Sequence, residues 1–252
     1  MLFRSCDITK KKYLKKNIRK PFNYVVNLGG YVDHSNRKKT FESHYIGCKN
    51  LTEIFLKKTP IAFVQMGSSA EYGNVKSPQK ENAKCNPKSV YGQAKLLSSI
   101  YLIDLFKKQK FPSTILRLYN TYGPRQDLNR FIPIVISGCI KNKKFPCSEG
   151  NQLRDFLHIE DVVDAILKSL TNKNARGQII NIGSGKPRII RHIIEYIKKI
   201  LKGGYPLFGK IKLRKDEILK VYPDINKAKN KINCRPKISF KKFIKATIYS
   251  FK

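Results

Sequence analysis

Three short apolar runs, NYVVNL (23–28), IAFVQM (61–66) and STILRL (113–118), are separated by segments with helical spacing, and this alternation constrains the fold most. Strands joined by helical crossovers lie parallel, in one sheet with helices packed on its faces. Parallel strands are buried on both faces and read as near-continuous apolar runs, as these do. Between the first two, a helix near 44–57 buries Tyr45, Cys48, Leu51 and Phe55. A second helix runs from Tyr91 to about Lys108. Beyond residue 125 the pattern is patchier, with helices expected near 128–142, 159–170, 189–202 and 240–250 and strands near 178–182 and 210–213. That change divides the chain into a first sheet-forming region, 1–125, and a second, 126–252, some of whose segments return to the first sheet.

The chain has 252 residues, 41% of them hydrophobic, enough for an ample core. Its longest apolar run, FIPIVISGCI, is half of the ~20 residues a membrane span needs, so no span is expected. The opening MLFRSCDITKKK has no apolar stretch of signal-peptide length, and the expected location is cytoplasmic. Six scattered cysteines form no CxxC pair and no cluster with histidine, which points to reduced thiols and to no metal. The net charge of +35 is spread along the whole chain. It reads as a proteome-wide lysine bias or a taste for anionic ligands, with weak, salt-sensitive binding to polyanions, rather than dedicated nucleic-acid recognition. The densest basic run, KKKYLKKNIRK (10–20), reads as a solvated helix carrying Tyr13, Leu14 and Ile18 and stopped by Pro21.

Ligands of parallel sheets gather at the carboxyl ends of the strands. There the sequence has NLGG (27–30), MGSSAEYG (66–73) and RLYNTYGPRQ (117–126). In NPKSVYGQAKLLSS (86–99), Tyr91 and Lys95 stand four residues apart at a helix start, on one face and about one turn apart. An ammonium beside a phenol lowers its pKa, so that Tyr91 can exchange a proton with a substrate hydroxyl. Bringing a phenol from about 10 to near 7 takes about 4 kcal/mol. A cation about 4 Å away at an effective dielectric of about 20 supplies that much.

Taken in order, NLGG, SSAEYG, YGQAK, LRLYNTYGPRQ, RDFLHIEDVVDAI, NIGSG and VYPDINKAKNKINCRP resemble the NAD-dependent epimerase/dehydratase family, extended short-chain dehydrogenases acting on nucleotide sugars. The resemblance implies a Rossmann-like, doubly wound α/β sheet with a smaller C-terminal α/β region that binds the sugar nucleotide. It implies catalysis by Ser68, Tyr91 and Lys95, and contact of Leu28, Gly29, Gly30, Tyr91 and Lys95 with NAD or NADP. Ser69, Asn120, Arg154 and Arg214 would meet a nucleoside diphosphate sugar, in what the family builds as a homodimer. The activity implied is that of an epimerase or 4-ketoreductase. A 4,6-dehydratase is disfavoured, because its acid–base pair falls on Ser69 and Ala70.

Plainer readings stand beside these roles. Ser68 also reads as a turn cap, Asn120 as part of the turn before Gly123 and Pro124, and Arg154 as the partner of Asp155 or Glu160. His158 reads as a packed or capping residue, and His34, His44 and His192 have no partner pattern. The family's opening GxxGxxG turn does not occur, and LFRSCDIT already resembles its third strand. The chain is therefore expected to be N-terminally truncated, with NYVVNL an open, aggregation-prone edge that either stays bare or is paired by the strand LFRSC (2–6) sliding across. Weak NAD binding and negligible turnover follow from the lost pyrophosphate site. A catalytically inactive, sugar-nucleotide-binding remnant is the alternative to the enzyme, and a basic nucleic-acid-binding protein a third possibility.

Overall fold

The computed structural model describes residues 6–33, 35–214 and 217–251. In chain order the first half holds α1 (Lys11–Asn17), β1 (Tyr24–Asn27), α2 (Arg37–Phe41), α3 (Gly47–Phe55), β2 (Ala62–Ser68), α4 (Val90–Gln109), β3 (Ser113–Leu118) and β4 (Asn120–Tyr122). The second half holds α5 (Phe131–Ile140), β5 (Lys144–Pro146), β6 (Leu153–Arg154), β7 (Phe156–His158), α6 (Ile159–Thr171), β8 (Gln178–Ile182) and β9 (Arg188–Ile189). It ends with α7 (Ile190–Leu201), β10 (Tyr205–Leu207), β11 (Lys220–Val221), α8 (Asn226–Ile232) and α9 (Phe240–Tyr249).

The main sheet has the order β1-β2-β3-β8, and every neighbouring pair is parallel. Side chains alternate between its faces with the period of two that a strand imposes. Phe63 and Ile115 point to one face and pack with Cys48, Leu51 and Phe55 of α3 and with Leu102 and Leu105 of α4. Val64, Met66, Leu116 and Ile180 point to the other, under Val162 and Ala165 of α6 and Ala228 and Ile232 of α8. The sheet is therefore helix-covered on both sides, the doubly wound arrangement read from the strand–helix alternation. β8, α6 and α8 come from beyond residue 125, whereas α5, α7 and α9 build a separate core around Ile136, Ile197 and Ile244.

Several boundaries differ from the sequence reading. The helix expected from 44 begins at Arg37, because Asn36 caps it by accepting the Lys39 N–H at 3.0 Å, and a π turn at Glu42–Ile46 joins α2 to α3. No strand forms at 210–213; the pairing segment is Tyr205–Leu207, parallel to Lys144–Pro146. Gly204 and Gly209, at φ of +86° and +79°, turn the chain at both ends of that segment, which fixes the strand between them. Among the described residues β1 pairs with β2 alone. The strand expected at 2–6 lies outside the described residues apart from Cys6. No helix among the described residues is long and apolar enough to cross a membrane.

Candidate active site

β2 delivers Ser68 to the carboxyl edge of the sheet, where the chain turns at once through Ser69–Glu71. The turn is held by a capping box: Ser68 Oγ accepts the Ala70 N–H at 3.2 Å, and Glu71 Oε1 accepts the Ser68 N–H at 2.8 Å. The start of α4 is capped in its turn by Ser89, whose Oγ accepts the Gly92 N–H at 3.1 Å. Gly92 lets these two capped ends touch. A Cβ there would lie 2.5 Å from the Ala70 carbonyl oxygen, so only glycine brings the first turn of α4 this close to the Ser68 turn.

Tyr91 and Lys95 consequently face Ser68. The Ser68 hydroxyl hydrogen-bonds the Tyr91 side chain. Burial pushes the phenol up from its ordinary value, the Ser68 bond draws it down, the Glu71 charge raises it and Arg130 lowers it. Lys95 is 5% exposed, and its Nζ donates to the Met66 carbonyl at 2.7 Å while lying 5.9 Å from the Tyr91 ring centre. Burial pushes this ammonium down, opposed by the negative charge of Glu71 and by Cys48. In the chain by itself, burial rather than Lys95 sets the direction at Tyr91. Burial of Tyr91 dominates, and the ammonium is engaged by a carbonyl and offset by Glu71.

These residues line a hollow of about 580 Å³ at the strand carboxyl ends, together with Leu28, Gly29 and Gly30 after β1 and Ser69 and Asn120 after β2 and β3. His44 and Arg130 also line it, and sequence reasoning had given neither a role. The His44 ring stands edge-on to Tyr91 with centroids 4.9 Å apart, and its Nε2 lies 3.2 Å from the Tyr31 carbonyl oxygen. A Cβ on Gly30 would fall 2.1 Å from that ring, which is the local reason for glycine. Asn120 donates from Nδ2 to the Asp155 carbonyl at 3.0 Å.

A second hollow of about 520 Å³ adjoins the first and shares Ser69 with it; Lys88, Arg154, Arg214 and Glu217 line it. Arg154 pairs with neither Asp155 nor Glu160. Its guanidinium meets Glu217 Oε1 at 2.5 Å, and Arg214 meets Glu217 Oε2 at 3.1 Å. Asp155 is spoken for, because its carboxylate accepts the Ser184 N–H and hydroxyl at 2.7 and 2.8 Å in the NIGSG loop. Asn120 and Arg154 therefore line adjoining hollows rather than one. His158 caps α6, with Nδ1 accepting the Glu160 N–H at 3.3 Å. Among the described residues no group of three or more His, Cys, Asp or Glu side chains could hold a metal ion.

Residues 2–183 match the model of the NAD dependent epimerase/dehydratase family. The chain belongs to this family. A provisionally assigned UDP-glucose 4-epimerase of Methanocaldococcus jannaschii is 33% identical over 211 residues, which cover 81% of this chain and 67% of the relative. UDP-glucuronic acid decarboxylase 1 of Arabidopsis thaliana is 26% identical over 228 residues, and the match spans about half, 51%, of its length. Among solved structures, UDP-glucose 4-epimerase of Thermotoga maritima, determined with UDP-glucose, is similar with a TM-score of 0.92 at 25% identity, covering 99% of this chain and 84% of that one. The two hollows of this epimerase/dehydratase chain lie on the same edge of its sheet.

Proposed function

We propose that the chain carries the proton-transfer and sugar-nucleotide sites of an NAD(P)-dependent nucleotide-sugar epimerase or 4-ketoreductase. The observation that carries this reading is the convergence of Ser68, Tyr91 and Lys95 in one hollow, next to a second hollow lined by Lys88, Arg154 and Arg214. A diphosphate suits the second hollow, where Arg154 and Arg214 already converge on one carboxylate, as they would on a phosphate. The sugar then extends past Ser69 into the first hollow, towards Tyr91.

There, Tyr91 takes the proton from a sugar hydroxyl and later returns it, while the Ser68 hydroxyl, in hydrogen-bond contact with Tyr91, holds the sugar oxygen in line. Lys95 supplies positive charge beside the phenolate as it forms. NAD, when bound, supplies the hydride acceptor and donor for the same carbon. The nicotinamide–ribose end of that cofactor would be held by the exposed backbone of Gly29 and Gly30 and by the Lys95 ammonium, which border the hollow. In an epimerase Tyr91 would both remove and return the proton at the sugar oxygen, and in a 4-ketoreductase it would donate a proton to a supplied ketone.

The test is turnover of UDP-glucose or UDP-galactose with saturating NAD. Tyr91→Phe is expected to lower the rate by about 10²–10⁴-fold, and equal rates would refute the reading. A non-catalytic sugar-nucleotide binder is the second reading. Calorimetric binding of UDP-glucose without turnover would select it.

A further inference from the structure

Behind the first hollow lies a buried carboxylate that the proton-transfer scheme does not use. Glu71 is fully buried, at 0% exposure, and each of its oxygens is committed. Oε1 accepts the Ser68 backbone N–H at 2.8 Å. Oε2 accepts the Ser99 hydroxyl at 2.7 Å and Arg117 Nε at 2.8 Å. The three donors come from three elements: the end of β2, the interior of α4 and β3. Ser99 is one turn beyond Lys95, which is one turn beyond Tyr91, so the bond to Ser99 ties down the helix carrying both. Arg117, 2% exposed, is itself fixed by stacking over the Tyr72 ring at 4.5 Å. A Cβ on Gly67 would fall 2.6 Å from Glu71 Oε1, so the strand leaves room for this carboxylate alone.

We propose that Glu71 is the positioning residue of the hollow: one buried carboxylate that aims the Ser68 hydroxyl, anchors the Tyr91–Lys95 helix and sets the field at both of those side chains. Packing alone does not account for the arrangement. A buried ion pair is seldom worth more to stability than an apolar pair of the same size, and Glu71 acts on both groups at once. Its charge favours the ammonium of Lys95 against burial and disfavours the phenolate of Tyr91. The groups around Tyr91 include Ser68, the His44 ring, Lys95 on its own helix and Arg130 at the start of α5, and Asp127 lines the same hollow. Glu71 is the carboxylate among the causes acting on the phenol. Its charge weighs against the phenolate and for the ammonium.

The inference rests on Tyr91 being the proton-transfer residue, but its test needs no turnover. Tyrosine labelled with ¹³C at Cζ reports each phenol in the folded 252-residue chain by NMR, with the Tyr91 signal identified through Tyr91→Phe. In Glu71→Gln, which keeps an oxygen for the Ser68 N–H, the Tyr91 midpoint is expected to move to lower pH. Because that substitution leaves Arg117 without its counter-charge, the double variant Glu71→Gln/Arg117→Met is measured in parallel, and the same downward shift is expected. An unchanged Tyr91 midpoint in a folded variant would overturn the proposal and reduce Glu71 to a packing residue. Full turnover in Tyr91→Phe would instead refute the catalytic reading and leave the NMR result standing.

Discussion

Gly92→Ala separates close approach from helix propensity at the point where α4 meets the Ser68 turn. In a solvated helix interior this change gains about 0.8–1 kcal/mol. Here the new Cβ would sit 2.5 Å from the Ala70 carbonyl oxygen and 2.8 Å from Pro87 Cβ, well inside the 3.4 Å at which ordinary contact begins. Neither neighbour is the end of a flexible side chain. Ala70 lies in the turn clamped by Glu71, and Pro87 is a ring just ahead of the helix cap. Relief requires α4 to back away from the turn, and overpacking of this kind costs about 1–3 kcal/mol. The overlap outweighs the propensity gain, so a net loss of about 1 kcal/mol is expected. Urea unfolding measures it as a lower midpoint at unchanged slope. A variant as stable as the parent, or more stable, would show that α4 does not bear on the Ser68 turn as described.

Arg154→Ala is expected to weaken UDP-glucose binding roughly tenfold or more, the worth of a charge-assisted contact, while lowering stability by less. Calorimetric titration giving equal affinities would refute the diphosphate assignment of the second hollow. His158 gives a pH signature: burial holds its imidazole below the ordinary 6.5, so the folded state favours the neutral ring. The stability this confers is present above the unfolded value and drains away as pH falls from 6.5 through the folded value. Melting temperatures between about pH 7.5 and 5 should fall more for the parent than for His158→Asn, which keeps a cap without a titrating ring.

The sheet was legible because Phe63 to Met66 and Ile115 and Leu116 are buried on both faces, which leaves unbroken apolar runs. Tyr91 and Lys95 were legible because helical spacing alone puts them on one face. The short ladders were not: Leu153–Arg154 and Lys220–Val221 are two residues each, too short for any period to register. His44 was equally invisible, since its contact with Tyr91 depends on the packing of α2 and the π turn Glu42–Ile46 against α4 and on no sequence spacing. Glu71 drew no role, since the acid–base pair of a 4,6-dehydratase falls on Ser69 and Ala70 just before it. Its commitments reach Ser99 and Arg117, 28 and 46 residues away, distances at which sequence pattern carries no information. The Arg154 partner was misjudged for the same reason, as Glu217 lies 63 residues on.

Ser69 lines both hollows, and it sits on a turn stapled by the Glu71 carboxylate to strand and helix alike. A wall that rigid acts as a ruler. Under the proposed function, a diphosphate anchored on Arg154 and Arg214 would leave the span across Ser69 to decide which sugar carbon arrives at Tyr91, whatever base the nucleotide carries. A sugar joined through a single phosphate starts one link short and brings a different carbon to the phenol. Selectivity in this arrangement is a matter of length measured from the anchor, so it tolerates changes at the far end of the nucleotide and penalises any change between phosphate and sugar.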